Sequence, residues 1–309
     1  MQLDVIIDES LARIAISSEQ VQEERRDSLL ALANDFEDGA WRYKSFHNLV
    51  WDNLSQTSLS ARERESIVGE EFSKLRQAAM NLRLTDSDND PGKGSEIAEI
   101  LLYAVMKHHY KALPVVPKIF YKQNRNDNAK GADSVHIVVA DDGEEFSLWL
   151  GESKFYNDIS DARLDKVVES VADMLNSDKI RKENSIIVGL TDLEDLIGQR
   201  PVLHKIRAAL DRNRSIDLLK PRLHIPILLL HQCTVTAKEV KMTAEYVEAL
   251  KKQIYARAES YFTKQAAKIG AIVGYKEISF HLIALPVPDK QKIVRDFVTF
   301  ANFLRGYGQ

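Results

Sequence analysis

The stretch from Phe146 to Tyr156 constrains the fold of this chain more than any other. It reads FSLWLGESKFY, an apolar run that ends in an acidic residue, a serine and a lysine. Successive side chains of a β-strand point to opposite faces, so Glu152 and Lys154 would share one face and Ser153 would take the other. Two neighbouring charges on one face of a largely apolar strand are uncommon unless something uses them. The pattern therefore predicts a buried strand that ends in a functional charge pair.

A second apolar strand is predicted just upstream, with an aspartate at its start. Asp133 precedes the apolar run 134–139, and residues 141–144 (DDGE) have the composition of a hairpin turn. Across such a hairpin, Asp133 would meet Glu152 and Lys154 on the neighbouring strand. The alternative interpretation is a surface charge pair. A second acid-x-Lys triplet at 239–241 has neither the apolar strand nor the partner aspartate.

The pattern Asp … Glu-x-Lys resembles the core of the PD-(D/E)xK nuclease superfamily. In that superfamily the acidic residues hold Mg²⁺ and the lysine assists the attacking water. The resemblance implies Asp133 and Glu152 as catalytic residues and metal ligands, with Lys154 as the catalytic lysine. Oxygen ligands suit Mg²⁺, for which Mn²⁺ is a possible substitute, and the bound ion lowers the pKa of its water.

A glutamate from the preceding helix is a further candidate. The helix predicted from Ser95 to about Tyr110 carries Glu96 and Glu99 in its first turns, where the helix dipole alone would favour acids. Nucleases that resemble this superfamily often place a glutamate on the helix before the first strand. Both residues remain candidates for the catalytic site, and the sequence does not choose between them.

The predicted order of elements agrees with the fold of that superfamily. After this helix we expect strands at 115–122, 134–139 and 146–156, a helix at 162–175 and a short strand at 185–190. Strands at 223–230 and 279–286 and helices at 200–210, 244–270 and up to Phe303 follow. We therefore predict an α+β or α/β fold with a restriction-endonuclease-like core, in which helices flank a mixed central sheet.

Residues 1–90 are expected to form a mainly helical interaction domain, and residues 91–309 the nuclease domain. A short strand at 3–7 precedes a helical pattern from Ser18 to Phe36, and Ser60–Glu63 forms a capping box that opens a helix to about Leu84. The polar segment 85–94 marks the boundary. Residues 1–90 hold 10 Lys and Arg against 18 Asp and Glu. This asymmetry suits a separate DNA-binding domain, although chance explains it equally well.

Basic residues supply weaker candidates for contacts with DNA phosphates. Lys122, Arg125 and Lys130 lie in the polar loop before Asp133. A second basic cluster between residues 199 and 224 includes Arg207, Arg212 and Arg214. Phosphate contacts of this kind would be independent of DNA sequence and sensitive to salt. Solvated surface charges are the alternative.

Four segments are similar to the HamA family, the nuclease subunits of the bacterial Hachiman anti-phage system. They are residues 94–103, 117–122, 131–136 and 148–156. The resemblance implies DNA as substrate. It also implies a helicase partner, HamB, that restrains the nuclease until aberrant or phage DNA is sensed. A stand-alone restriction or repair nuclease, and a non-catalytic DNA- or partner-binding module, are the alternatives.

The composition limits where such a protein works. No uninterrupted apolar stretch is long enough to span a membrane, and the N-terminus lacks the basic head of a signal peptide. Cys233 is the only cysteine, which excludes an internal disulfide framework. We expect a cytoplasmic protein with no membrane partner.

Overall fold

A seven-stranded sheet runs through the centre of the protein, in the order β1-β2-β9-β8-β7-β6-β5. The computed structural model describes residues 4–6, 27–84, 94–121, 131–188 and 201–306. The strands are β1 (Asp4–Ile6), β2 (Ser28–Ala33), β3 (Phe36–Glu37), β4 (Ala40–Trp41), β5 (Leu113–Val116), β6 (Ser134–Val139), β7 (Phe146–Tyr156), β8 (Leu223–Gln232) and β9 (Ser279–Val287). Strands β3 and β4 form a separate two-stranded ladder.

Ten α-helices lie within the described ranges. They are α1 (Tyr43–Ser58), α2 (Ala61–Ser66), α3 (Glu71–Met80), α4 (Ser95–His108), α5 (Lys118–Tyr121), α6 (Asp161–Met174), α7 (Ser177–Val188), α8 (Pro201–Ala209), α9 (Ala244–Ile269) and α10 (Lys290–Gly306). Short 3-10 helices occupy Ile216–Leu218, Lys220–Arg222, Thr236–Lys238 and Tyr275–Glu277.

The sheet is mixed, and its parallel part is the most apolar. Strands β2, β9, β8 and β7 pair in parallel, whereas β6 pairs antiparallel with β7, β5 with β6 and β1 with β2. Parallel strands need crossover connections, and their helices cover both faces of the sheet. This explains why β8 and β9 are apolar along almost their whole length rather than alternating.

Two hydrophobic clusters fill the space between the sheet and its helices. On one face, β7 residues such as Leu148 and Leu150 pack with Leu164 of α6 and Tyr261 of α9. On the other face, Trp149 and Phe155 pack with residues of α1, α4 and α10. Strand β7 therefore lies between two helical layers, and its alternating side chains reach both.

The predicted fold class is confirmed: helices flank a mixed central sheet. The predicted helices at 95–110, 162–175, 244–270 and at the C-terminus are present, as are the strands at 223–230 and 279–286. Ser60 and Glu63 form the expected reciprocal capping box. The DDGE turn closes the β6–β7 hairpin, with Gly143 at φ 71°.

Four local predictions are wrong. Residues 28–33, predicted helical, form β2, because pairing with β9 in the sheet outweighs the helical propensity of a Leu- and Ala-rich run. Residues 185–188, predicted as strand, end α7, and the first core strand stops at Val116. The helix predicted from Ser60 to Leu84 is broken at Gly69, whose φ is 87°.

The start of α4 also differs from the prediction, in which Ser95 is the N-cap residue. Gly94 rather than Ser95 occupies the N-cap position, and its φ of 90° is a conformation that glycine adopts without strain.

The boundary between the two predicted domains falls outside the described residues. On either side of it, however, Phe46 of α1, Ile97 of α4 and Phe297 of α10 belong to one hydrophobic cluster. Trp41 and Trp51 are buried in the same cluster, so the aromatic segment 41–51 belongs to the core. The division into domains at residue 90 stays a prediction.

Candidate functional site

The β6–β7 hairpin brings Asp133 to the charged end of β7. The Asp133 backbone N–H donates to the Gly151 carbonyl at 2.7 Å, which extends the ladder by one residue. One carboxylate oxygen of Asp133 accepts hydrogen bonds from the Ser153 N–H at 2.9 Å and the Ser153 hydroxyl at 3.2 Å. Asp133 is thereby held against the backbone between Glu152 and Lys154.

Glu152 is a buried carboxylate whose charge is unfavourable. Its side chain points to the face of the sheet covered by α6, where the Ser170 hydroxyl donates to it, and the residue is 6% exposed. Burial raises the pKa of Glu152 to about 7, and the nearby Asp133 carboxylate adds to the rise. Lys154 lowers it only in part. A second positive charge at this position would therefore be stabilising.

Lys154 forms an ion pair with Glu152 and remains partly accessible. Its amine donates to a Glu152 carboxylate oxygen, and 27% of its side chain is exposed. Burial alone would lower the pKa of Lys154, but the Glu152 and Asp133 carboxylates outweigh burial and raise it. Lys154 therefore carries a positive charge at neutral pH.

The two helix glutamates lie in different surroundings. The Glu96 carboxylate accepts hydrogen bonds from the backbone N–H groups of Arg83 at 2.8 Å and Leu84 at 3.2 Å. Glu99 is buried and lines a narrow cavity together with Asp133. The structure thus places Glu99 beside one member of the candidate site and binds Glu96 to the end of the α3 segment.

A buried ion pair supports the strand that carries Asp133. The Lys118 amine lies 2.6 Å from both carboxylate oxygens of Glu183, and their side chains are 5% and 4% exposed. Glu183 also accepts from the Ala132 N–H at 3.1 Å. Lys118 lines the same cavity as Asp133 and Glu99. Helix α7 thus fixes the backbone immediately before Asp133.

Sequence reasoning missed this pair, although one signal was present. Ile180, Glu183, Asn184 and Ile187 share the buried face of α7 at helical spacing. A charged residue on the apolar stripe of an amphipathic helix needs a buried partner. For Lys118 no such pattern existed, because its segment was predicted to be a strand.

Among the basic candidates for DNA contacts, the structure describes Arg207, Arg212 and Arg214. Arg207 is on α8, whose Lys205 contacts Glu144 and Glu145 in the hairpin turn, at the other end of β7 from Glu152. Arg212 and Arg214 are exposed, and their backbone carbonyls accept from Arg181. Lys122, Arg125 and Lys130 lie outside the described residues.

The donor chemistry of the site fits a hard divalent cation. Among the residues that the structure describes, no three His, Cys, Asp or Glu side chains are grouped as a complete metal site. Mg²⁺, however, is commonly held by one or two carboxylates, with water and substrate phosphates as the remaining ligands. Asp133 and Glu152 supply two carboxylates. Burial disfavours the charge of Glu152 and raises its pKa, and a bound cation would stabilise that charge.

No helix in the described ranges is long and apolar enough to cross a membrane.

A family model described as HamA matches residues 11–301 of the 309-residue chain. None of the curated proteins matches the chain.

Proposed function

Because the chain belongs to the HamA family, we propose that it is a metal-dependent DNA nuclease, the effector subunit of a Hachiman-type anti-phage complex. The observation that carries the nuclease proposal is the convergence of Asp133, Glu152 and Lys154 at one end of β7. Membership of the family supports the defence role and a helicase partner of the HamB type, which would restrain the nuclease until it is needed.

Each residue has a role that follows from its surroundings. Asp133 and Glu152 would hold Mg²⁺ or Mn²⁺, which lowers the pKa of a bound water and neutralises charge on the phosphate. The Lys154 ammonium keeps its proton because the two carboxylates raise its pKa. It can donate a hydrogen bond that orients the attacking water, or stabilise charge that develops on the phosphate.

Degradation of plasmid DNA by the purified protein tests the proposal. We expect cleavage with Mg²⁺ and none with EDTA, and we expect Glu152→Ala and Lys154→Ala each to abolish it. The second acid-x-Lys triplet offers a matched control, because Glu239 and Lys241 follow a 3-10 helix rather than ending a buried strand. Glu239→Ala and Lys241→Ala should cleave as the wild type does.

Two results would contradict the proposal in different ways. Cleavage that survives Glu152→Ala and Lys154→Ala would place the active site elsewhere. DNA binding that is unaffected by Mg²⁺, with no cleavage by the purified protein, would indicate a binding module. Near-stoichiometric co-purification with a helicase would separate a Hachiman-type subunit from a stand-alone nuclease.

A further inference from the structure

Two cations flank the end of β7, one on each face of the strand. The guanidinium carbon of Arg163 lies 5.2 Å from the centroid of the Tyr156 ring, and the Lys290 amine lies 5.0 Å from the centroid of the Phe155 ring. Phe155 and Tyr156 are consecutive, so their side chains point to opposite faces. The two cations therefore enclose the strand end from both sides.

Arg163 is held in place without being neutralised. Within the described residues, no hydrogen bond or ion pair engages its guanidinium, which rests on the half-buried Tyr156 ring. The Asp158 carboxylate interacts electrostatically with Arg163, but it accepts its hydrogen bond from the Ser160 N–H at 2.8 Å. A guanidinium stacked on an aromatic ring keeps its planar fork of donors available for a bidentate partner such as a phosphate.

Lys290 is half-buried, and its amine interacts electrostatically with Arg163. Its amine donates to the Phe155 carbonyl at 2.6 Å, and its backbone N–H donates to the Gln232 side chain at 3.1 Å. Burial, and then Arg163, lower the pKa of Lys290. The two cations repel each other, and an anion bound near both would reduce this repulsion.

Both cations also stand where the helix dipole disfavours them. Arg163 is in the first turn of α6, and Lys290 is the first residue of α10. Positive charge is unfavourable at a helix N-terminus, where the helix dipole favours anions. A bound anion would offset this unfavourable interaction with the dipole.

The strand end lies next to the candidate active site. Tyr156 follows Lys154 by two residues on the same face, a distance of about 7 Å along a strand. This is also the carboxyl end of the parallel strands β7, β8 and β9, the edge at which open α/β sheets bind ligands.

We propose that Arg163 and Lys290 form a phosphate-binding site that holds the nucleic-acid backbone next to Asp133, Glu152 and Lys154. The inference rests on the proposed nuclease function, which supplies the substrate class. Its ligand is the phosphodiester backbone, from DNA or RNA. The site binds substrate rather than taking part in bond cleavage.

Binding of nucleic acid by an inactivated protein tests this site. Fluorescence anisotropy would follow fluorescein-labelled DNA and RNA of one sequence, with Glu152→Gln protein as the parent. In that background we expect Arg163→Gln to raise Kd about tenfold, the loss of one charge-assisted contact. The slope of log K against log salt should become shallower by about 0.7 to 0.9. Arg163→Lys, which keeps the charge but not the fork, should lie between parent and Arg163→Gln.

Arg295→Gln is the matched control. Like Lys290, Arg295 is on α10, and its side chain is 68% exposed. Among the acidic residues that the structure describes, only its neighbour Asp296 lies within ion-pair distance of it. Lys290→Met should also weaken binding, and a circular-dichroism melt of each variant verifies that the fold is kept.

The outcomes separate this inference from the nuclease proposal. If Arg163→Gln matches Arg295→Gln in Kd and salt slope on both nucleic acids, the site is overturned even where the wild type cleaves DNA. If the parent binds neither nucleic acid, both proposals are overturned. In cleavage assays of protein that retains Glu152, a raised KM with little change in kcat supports the site, and an unchanged KM counts against it.

Discussion

Burial affects the charge of Glu152 more strongly than its lysine partner does. The ion pair with Lys154 favours the carboxylate, yet desolvation and Asp133 together raise the pKa of Glu152 to about 7. A structural ion pair would be expected to lower that pKa instead. The balance at this one residue therefore favours a site prepared for a cation over a surface charge pair.

The pKa of Glu152 predicts how stability depends on pH when no divalent cation is present. The folded-state pKa lies above the ordinary value of 4.5, so the folded protein binds this proton more tightly than the unfolded chain does. The resulting stabilisation is complete below the ordinary pKa and is lost as the pH rises through about 7. Glu152→Gln never ionises. Its melting temperature in EDTA should therefore gain on that of the wild type as the pH rises from about 5 to about 8.

Added Mg²⁺ supplies the complementary measurement. At the higher pH it should raise the melting temperature of the wild type and leave that of Glu152→Gln nearly unchanged. A difference in melting temperature between the two proteins that stays constant across pH, with or without Mg²⁺, would show that the pKa of Glu152 is not raised in the folded protein.

The two helix glutamates predict opposite variants. Glu96→Ala removes the acceptor for two backbone N–H groups, so it should lower the free energy of unfolding by about 1 to 3 kcal/mol and leave Mn²⁺ affinity unchanged. Glu99→Gln should weaken Mn²⁺ binding, because Glu99 lines the cavity that Asp133 shares. Calorimetric titration with Mn²⁺ and urea unfolding measure both. If neither variant alters Mn²⁺ affinity, the helix contributes no glutamate to the site.

At the scale of elements, α7 and α5 are joined to the head of β6 by one buried ion pair. Glu183→Leu or Lys118→Met alone removes one charge of this buried pair and leaves the other in place, so we expect each to cost about 3 to 5 kcal/mol in urea unfolding. The double variant should be more stable than either single one, because it buries no charge from this pair. Additive losses would mean that the two residues do not depend on each other.

Gly94 makes a prediction about the junction of α4, β7 and α10. A Cβ built there would lie 2.9 Å from a Val294 methyl carbon and 3.0 Å from the Phe155 ring, in addition to the strain of a φ of 90°. Gly69 has a φ of 87° and open space around it, so Gly69→Ala measures the strain alone. We expect Gly94→Ala to be the more destabilising by about 1 to 3 kcal/mol of overpacking. Equal urea midpoints would show that the junction yields without cost.

Elements were predictable from sequence where their pattern is local. The apolar run 146–156 and the turn at 141–144 were sufficient to predict the β6–β7 hairpin. Asp133 lies one residue before β6, and its N–H donates to the Gly151 carbonyl of β7. Strand β2 could not be found in this way. Its partner β9 is distant in the chain, and a Leu- and Ala-rich run buried on both faces has no period that separates strand from helix. The choice between Glu96 and Glu99 likewise depends on tertiary neighbours.

At the scale of the whole molecule, the first ninety residues contribute to the central sheet. Strand β2 extends the sheet beyond β9, and α1 packs on α4. We therefore expect a protein truncated to residues 91–309 to lack a cooperative unfolding transition, because one edge of β9 and the apolar face of α4 would be exposed. Calorimetry of the truncated protein measures this. A sharp transition close to that of the full chain would establish the boundary at residue 90 as a true domain limit.

The pairing of β2 with β9 has a consequence for biosynthesis. The Ser28 hydroxyl and the His281 ring that it contacts are separated by 253 residues. At about 5 to 20 residues per second, a ribosome needs roughly 10 to 50 seconds to make the chain between them. Throughout that interval β2 lacks β9 on one of its edges, so the nascent protein offers chaperones an apolar strand edge. The proposed nuclease would thus complete its sheet only near the end of translation.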